Sequence, residues 1–221
     1  MFHPDTYIAS LTTLLRSAYG DRLCYVGLQG SYLRQEATET SDIDVMVVIR
    51  DMTIADMTAY REAIASLESF DKSCGFICGL DELQHWNPLE ICHLVHTTKD
   101  YVGTLANLVP QYTEADVRAY VQMSLGNLYH ELAHRYIHAS KADNIAALPG
   151  TYKAVFFILQ NLHYLRSGRF IGTKKELLST LSGKDAQVLA TALSLPHASD
   201  YDFDAVFSLL FTWCRETLNC L

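Results

Sequence analysis

The 221-residue chain is 49% hydrophobic and 19% charged, so it can bury a core and is not an intrinsically disordered segment. Its formal net charge of −8 argues against a dedicated nucleic-acid binder, whose contact face would be basic. No run approaches the ~18 apolar residues that span a bilayer, and "MFHPDTYIAS" lacks the basic start and apolar core of a secretory signal.

The first half alternates helix and strand signals. "PDTYIASLTTLLRSAYG" has apolar residues at helical spacing and Gly20 at its end, and "LCYVGL" reads as a short strand. "SYLRQEA" reads as a short helix and "IDVMVVI" as a buried strand. "TIADMTAYREAIASLESF" is a helix with Thr53 as cap and Asp56 in its first turn. "SCGFICGL" follows as a strand, "DELQHW" as a helical turn and "LEICHLVHT" as another strand.

The second half has almost no strand signal. A long amphipathic helix starts at Thr113, a second ends at Gly168, and "TKKELLSTL" opens with the Thr173–Glu176 capping pair. "KDAQVLATALSL" and "DFDAVFSLLFTWCRETL" complete a bundle, with Pro110 and Pro149 at the joints. The expected class is α+β. A mixed sheet with flanking helices occupies residues 1–108, and an all-helical bundle occupies 109–221.

The six cysteines lie in apolar surroundings, and Cys74 and Cys78 find no second Cys/His pair to complete a zinc pattern. They read as buried free thiols in a reducing cytoplasm.

Asp42 and Asp44 stand two apart on a strand, so both side chains leave the same face. Two carboxylates that close repel unless a cation neutralises them or water solvates both. An oxygen donor pair of this charge favours Mg²⁺ or Mn²⁺ completed by phosphates and water. Upstream, Gly30 permits a tight turn and Ser31 stands where a helix would start, a place that attracts phosphate. Arg34 can set a guanidinium against the same phosphates.

The run "GSYLRQEATETSDIDVMV", residues 30–47, resembles the signature of the DNA polymerase β-like nucleotidyltransferase superfamily, especially its minimal and antibiotic-modifying members. Gly30, Ser31, Arg34, Glu36, Ser41, Asp42 and Asp44 are in register. Gln35 stands where many members have Gly, a departure expected to be conservative for the backbone.

The resemblance implies that Gly30 and Ser31 bind the triphosphate of an NTP such as ATP. It implies that Asp42 and Asp44 hold divalent ions, and that a third acid on a later strand helps hold one ion and activates the acceptor. "SCGFICG" contains no acid. Glu90, at the head of "LEICHLV", is the first choice, Asp81 and Asp71 are rivals, and the third acid being absent is the alternative. Related aminoglycoside nucleotidyltransferases place an acceptor-side base on a helical second domain, which points to Glu131. Lys153, at the start of an apolar helix, is the candidate for a further phosphate contact, against a snorkelling lysine.

One motif points elsewhere. Residues 130–134 read His-Glu-Leu-Ala-His, the H-E-x-x-H pattern of zinc proteases. The longer metzincin form needs Gly at 137 and His at 140, and these are Ile137 and Ser140. A polar helical stripe is the simpler reading.

The expected reaction is metal-dependent transfer of a nucleoside monophosphate from an NTP to a hydroxyl of a small molecule or protein. No membrane or nucleic-acid partner is expected, and a homo-oligomer stays open. The alternative is a catalytically weak nucleotide-binding module of the toxin–antitoxin kind.

Overall fold

The structure is a computed structural model and describes residues 3–221. It falls into two compact units, Met1–Tyr112 and Thr113–Leu221, described separately below.

In the first unit, α1 (Pro4–Tyr19) begins with Pro4, whose missing N–H costs nothing at a helix start. Tyr7, Ile8, Leu11, Leu15 and Tyr19 form its buried stripe, and Gly20 (φ 54°) ends it by donating its N–H to the Arg16 carbonyl. Four strands follow in the chain: β1 (Leu23–Leu28), β2 (Ile43–Ile49), β3 (Ser73–Gly79) and β4 (Lys99–Val102). They form one mixed sheet in the order β3-β2-β1-β4. The β2–β3 pair is parallel, and β1 is antiparallel to both β2 and β4.

The helices of this unit are α2 (Gly30–Leu33), α3 (Ile54–Ala65), α4 (Leu80–Gln84) and α5 (Pro88–His96). The Thr53–Asp56 capping box starts α3 as the sequence suggests, and Arg22 forms an ion pair with the same Asp56.

Strand alternation divides the unit into two cores. Val45, Val47, Ile49 and Ile77 pack with residues of α1 and α3. Met46, Val48, Phe76 and Cys78 face the other way and pack with Tyr25, Leu83 and Leu105. Asp42 and Asp44 continue this second face toward the start of β2.

One element differs in kind from expectation. "LEICHLV" lies in helix α5, not in a strand. Asn87 caps it by accepting from the Leu89 N–H, and Pro88 supplies the pre-set first turn. Ile91 and Cys92 are the residues it buries. The strand in this region is β4, immediately after it, built from "KDYV".

The second unit contains α6 (Glu114–His138), α7 (Lys141–Thr151), α8 (Lys153–Ser167), α9 (Lys174–Thr180), α10 (Gly183–Ser194) and α11 (Phe203–Asn219). The mixed sheet followed by a helical region bears out the α+β expectation. Val121, Leu125, Leu128 and Leu132 of α6 share a core with Val155, Leu159, Leu162, Leu210 and Trp213. Burying side chains of this size stabilises by roughly 1.5–3 kcal/mol each.

Helix α7 was not expected, and Pro149 lies inside it. Ser140 caps its start by accepting from the Asp143 N–H. Proline removes the hydrogen bond to the carbonyl four residues back, that of Ile145. The Tyr201 hydroxyl donates to that carbonyl, which offsets the loss.

The cysteines also depart from expectation. All six are free, but only Cys78, Cys92 and Cys214 are buried, while Cys74 and Cys220 are exposed and Cys24 is intermediate.

Candidate active site

The site is built on β1, α2 and β2. The Gln29 N–H at the end of β1 donates to the Asp44 carbonyl at 2.8 Å, which ties the turn to the head of β2. The Gln29 side chain donates to Thr98 Oγ1, also at 2.8 Å. Gly30 then turns the chain with φ 68°, a left-handed conformation open to glycine. A Cβ placed there would meet Asp44 Oδ2 at 1.8 Å. The residue must be Gly for two reasons, the dihedral and the approach of backbone to carboxylate.

Asp42 is exposed and Asp44 half-buried. Burial raises the Asp44 pKa first, and the charge of Asp42 adds to that. A hydrogen bond from the Cys74 thiol and the nearby Arg34 guanidinium pull it the other way, and the net shift is upward. This is the electrostatic condition for a cation site: charge held at a cost that a divalent ion would relieve.

Arg34 caps the end of α2, its Nε donating to Glu36 Oε2 at 3.1 Å with both side chains mostly buried. Its charge is felt at Asp44 and at His93 on α5. Burial, then Arg34, then His96 lower the His93 pKa to about 4, so the imidazole is neutral at pH 7. Ser31 is in α2, and its carbonyl accepts the Glu36 N–H at 2.9 Å.

Gln35 adopts φ 57°. Its substitution for glycine is therefore not conservative for the backbone, because a side chain in this region costs roughly 1–2 kcal/mol.

The candidate third acids are scattered. Glu90 lies in the first turn of α5, and its carboxylate accepts the Trp86 Nε1–H at 2.6 Å. The rationale of an acid at the head of a strand is thus removed for Glu90. Asp81 is exposed on α4, and Asp71 is exposed in a 3-10 turn before β3. Among the described residues, no group of three or more His, Cys, Asp or Glu is set to hold a metal ion. Asp42 and Asp44 therefore fit a divalent ion as a two-carboxylate set, with the remaining coordination left to phosphate and water oxygens.

The residue that sequence reasoning missed is Cys74. The β2–β3 register pairs it with Asp44. The strand was legible; its pairing register with β2 was not.

In the second unit, Glu131 Oε1 accepts from Thr151 Oγ1 at 2.8 Å, and exposed Lys153 opens α8. His130, His134 and His138 form an exposed ladder along α6, with ring centroids 5.8 and 4.7 Å apart. Among the described residues, this ladder is not part of any group of three or more His, Cys, Asp or Glu set to hold a metal ion.

Residues 21–75 match the family model of the nucleotidyltransferase domain, a span that includes Gly30, Asp42, Asp44 and Cys74. No curated protein matches the chain in sequence. Among solved structures, the spectinomycin adenyltransferase AAD(9) from Enterococcus faecialis, determined with ATP and spectinomycin, matches with a TM-score of 0.59 at 14% identity. The match covers 98% of this chain and 100% of that one, a likeness of fold. A nucleotidyltransferase-like protein from Exiguobacterium sibiricum matches at a TM-score of 0.39 and 14% identity, over 97% of this chain and 75% of its own. Residues 21–75 of the first unit are thus similar to a nucleotidyltransferase domain.

Proposed function

We propose that the protein transfers a nucleoside monophosphate from an NTP to a hydroxyl of a small molecule, releasing pyrophosphate. The observation that carries this reading is the contact of the Gly30 backbone with the Asp44 carboxylate. It brings a turn suited to phosphates against a carboxylate pair suited to a divalent cation.

Each residue has a task under this reading. Gly30 and Ser31 line the triphosphate, with Arg34 adding positive charge beside it. Asp42 and Asp44 hold Mg²⁺ or Mn²⁺. Such an ion, when bound, neutralises the triphosphate and stabilises the negative charge that develops in transfer. By resemblance only, Glu131 serves the acceptor hydroxyl and Lys153 the phosphates.

The acceptor class follows from two supports. The net charge of −8 disfavours a nucleic acid. A fold neighbour over nearly the whole chain is an adenyltransferase solved with ATP and spectinomycin. A second reading, nucleotide binding with little turnover, is favoured by the lack of a third acid beside the pair among the described residues.

The test is pyrophosphate release from each of the four common NTPs with Mg²⁺, with and without a panel of aminocyclitols and other polyols. Acceptor-dependent release that vanishes in Asp44→Asn supports transfer. ATP binding without release from any acceptor supports the second reading.

A further inference from the structure

The strand alongside Asp44 has no carboxylate where one would complete the site. β3 runs parallel to β2, and Cys74 is paired with Asp44. Paired positions on neighbouring strands present their side chains on the same face, ~4.8 Å apart. The next residues along the two strands obey this, since Met46, Val48, Phe76 and Cys78 share one core.

The next residue of β3 holds the strand close. Gly75 has φ 150°, and a Cβ there would meet the Val45 carbonyl oxygen at 1.9 Å. No other residue type fits, so the register beside Asp44 is fixed by backbone contact. The Cys74 thiol lies in the electrostatic field of both Asp44 and Asp42. It is exposed, so the face it shares with the two acids opens to solvent.

We propose that Cys74 sets the cation affinity of the site, a neutral thiol where a carboxylate would complete it. The proposal rests on the reading of Asp42 and Asp44 as the cation pair. A thiol at this corner adds no charge of its own. A carboxylate would add a charge and oxygen donors within ~5 Å of the ion, and Coulomb attraction at that range near a protein surface changes affinity many-fold. The pair alone therefore holds a divalent ion weakly, and the ion enters as its complex with the NTP, whose phosphates supply the missing oxygens.

The experiment is Mn²⁺ binding to the full chain, followed by the electron paramagnetic resonance of free Mn²⁺, with and without ATP. Without ATP, Cys74→Asp should bind Mn²⁺ at least about tenfold more tightly than wild type. Cys74→Ser should stay within about twofold of wild type, and Asp42→Asn added to Cys74→Asp should erase the gain. A Cys74→Asp variant no tighter than wild type, while wild type still binds Mn²⁺–ATP and Asp44→Asn does not, overturns this proposal and leaves the carboxylate pair standing. Equal Mn²⁺–ATP binding by wild type and Asp44→Asn overturns the pair itself, and the proposal with it. Wild-type protein provides a check that needs no variant. Mn²⁺–ATP should slow iodoacetamide alkylation of Cys74 at least about tenfold, with the other exposed thiol, Cys220, as the reference. Unchanged alkylation of Cys74 at saturating Mn²⁺–ATP would also overturn the proposal.

Discussion

Gly30 and Asp44 are in contact across the β1–α2 turn: there is no room for even a methyl group between the Gly30 Cα and the Asp44 carboxylate. The turn that would hold phosphates and the acid that would hold their counter-ion cannot be altered independently. Gly30→Ala combines a left-handed dihedral with a clash at 1.8 Å. It should lower stability by about 1–3 kcal/mol and weaken ATP binding at least about tenfold. Urea denaturation and calorimetric ATP titration measure the two effects. Wild-type ATP affinity in this variant would mean that the nucleotide binds elsewhere.

Asp44→Asn should reduce transfer at least about a hundredfold and yet stabilise the protein without ligand. The Asp44 pKa is raised in the fold by burial and by Asp42. A raised carboxyl pKa means that the fold favours the protonated form, and this stability is lost as pH rises through the folded pKa. Asparagine mimics the neutral form at every pH. The melting temperatures of wild type and Asp44→Asn should therefore converge in acid and separate toward pH 7, with the variant higher. A variant less stable than wild type at pH 7 would contradict the electrostatic description of the pair.

His93 gives a pH dependence of the opposite sign. Its pKa falls from 6.5 to about 4, chiefly by burial. The unfolded chain takes up a proton near pH 6.5 and the folded chain does so only near pH 4. Stability is present above 6.5 and is lost as pH falls toward 4, by an amount on the order of 3 kcal/mol. His93→Gln should flatten the stability profile in this window. Denaturant midpoints measured from pH 7 to pH 4 in both proteins check it, and parallel profiles would refute it.

Gln35 holds φ 57° with its side chain exposed. Gln35→Gly relieves the left-handed strain without removing buried surface. It should raise stability by about 0.5–1 kcal/mol, after the larger entropy of the unfolded glycine chain is set against the relief. A destabilised Gln35→Gly variant, read from its urea midpoint, would show that the side chain makes a contact worth more than the strain.

Much of this was legible because the signals were local. The Thr53–Asp56 and Thr113–Asp116 pairs mark helix starts within four residues of chain, and both form as capping boxes. "IDVMVVI" is apolar on both faces and becomes a strand with neighbours on each side. The reading of "LEICHLV" as a strand failed because a short apolar run has no decisive period, and the Asn-Pro ahead of it was the stronger signal. Pro149 reads as a joint in sequence but lies inside α7, where a hydroxyl from a segment some fifty residues later, Tyr201, offsets the bond it removes. The site divides the same way. Gly30, Asp42 and Asp44 lie within one short unit and were visible together. Cys74 joins them only through the parallel register of β3, a non-local pairing that leaves no mark in the sequence.

The most direct test of nucleotidyl transfer follows the fate of each phosphate. ATP labelled at the α-phosphate is incubated with Mg²⁺ and the responding acceptor, beside ATP labelled at the γ-phosphate. The expected result is α-label on the acceptor and γ-label in free pyrophosphate, both abolished by Asp44→Asn. Transfer of the γ-label to the acceptor, or α-label transfer unaffected by Asp44→Asn, would contradict it.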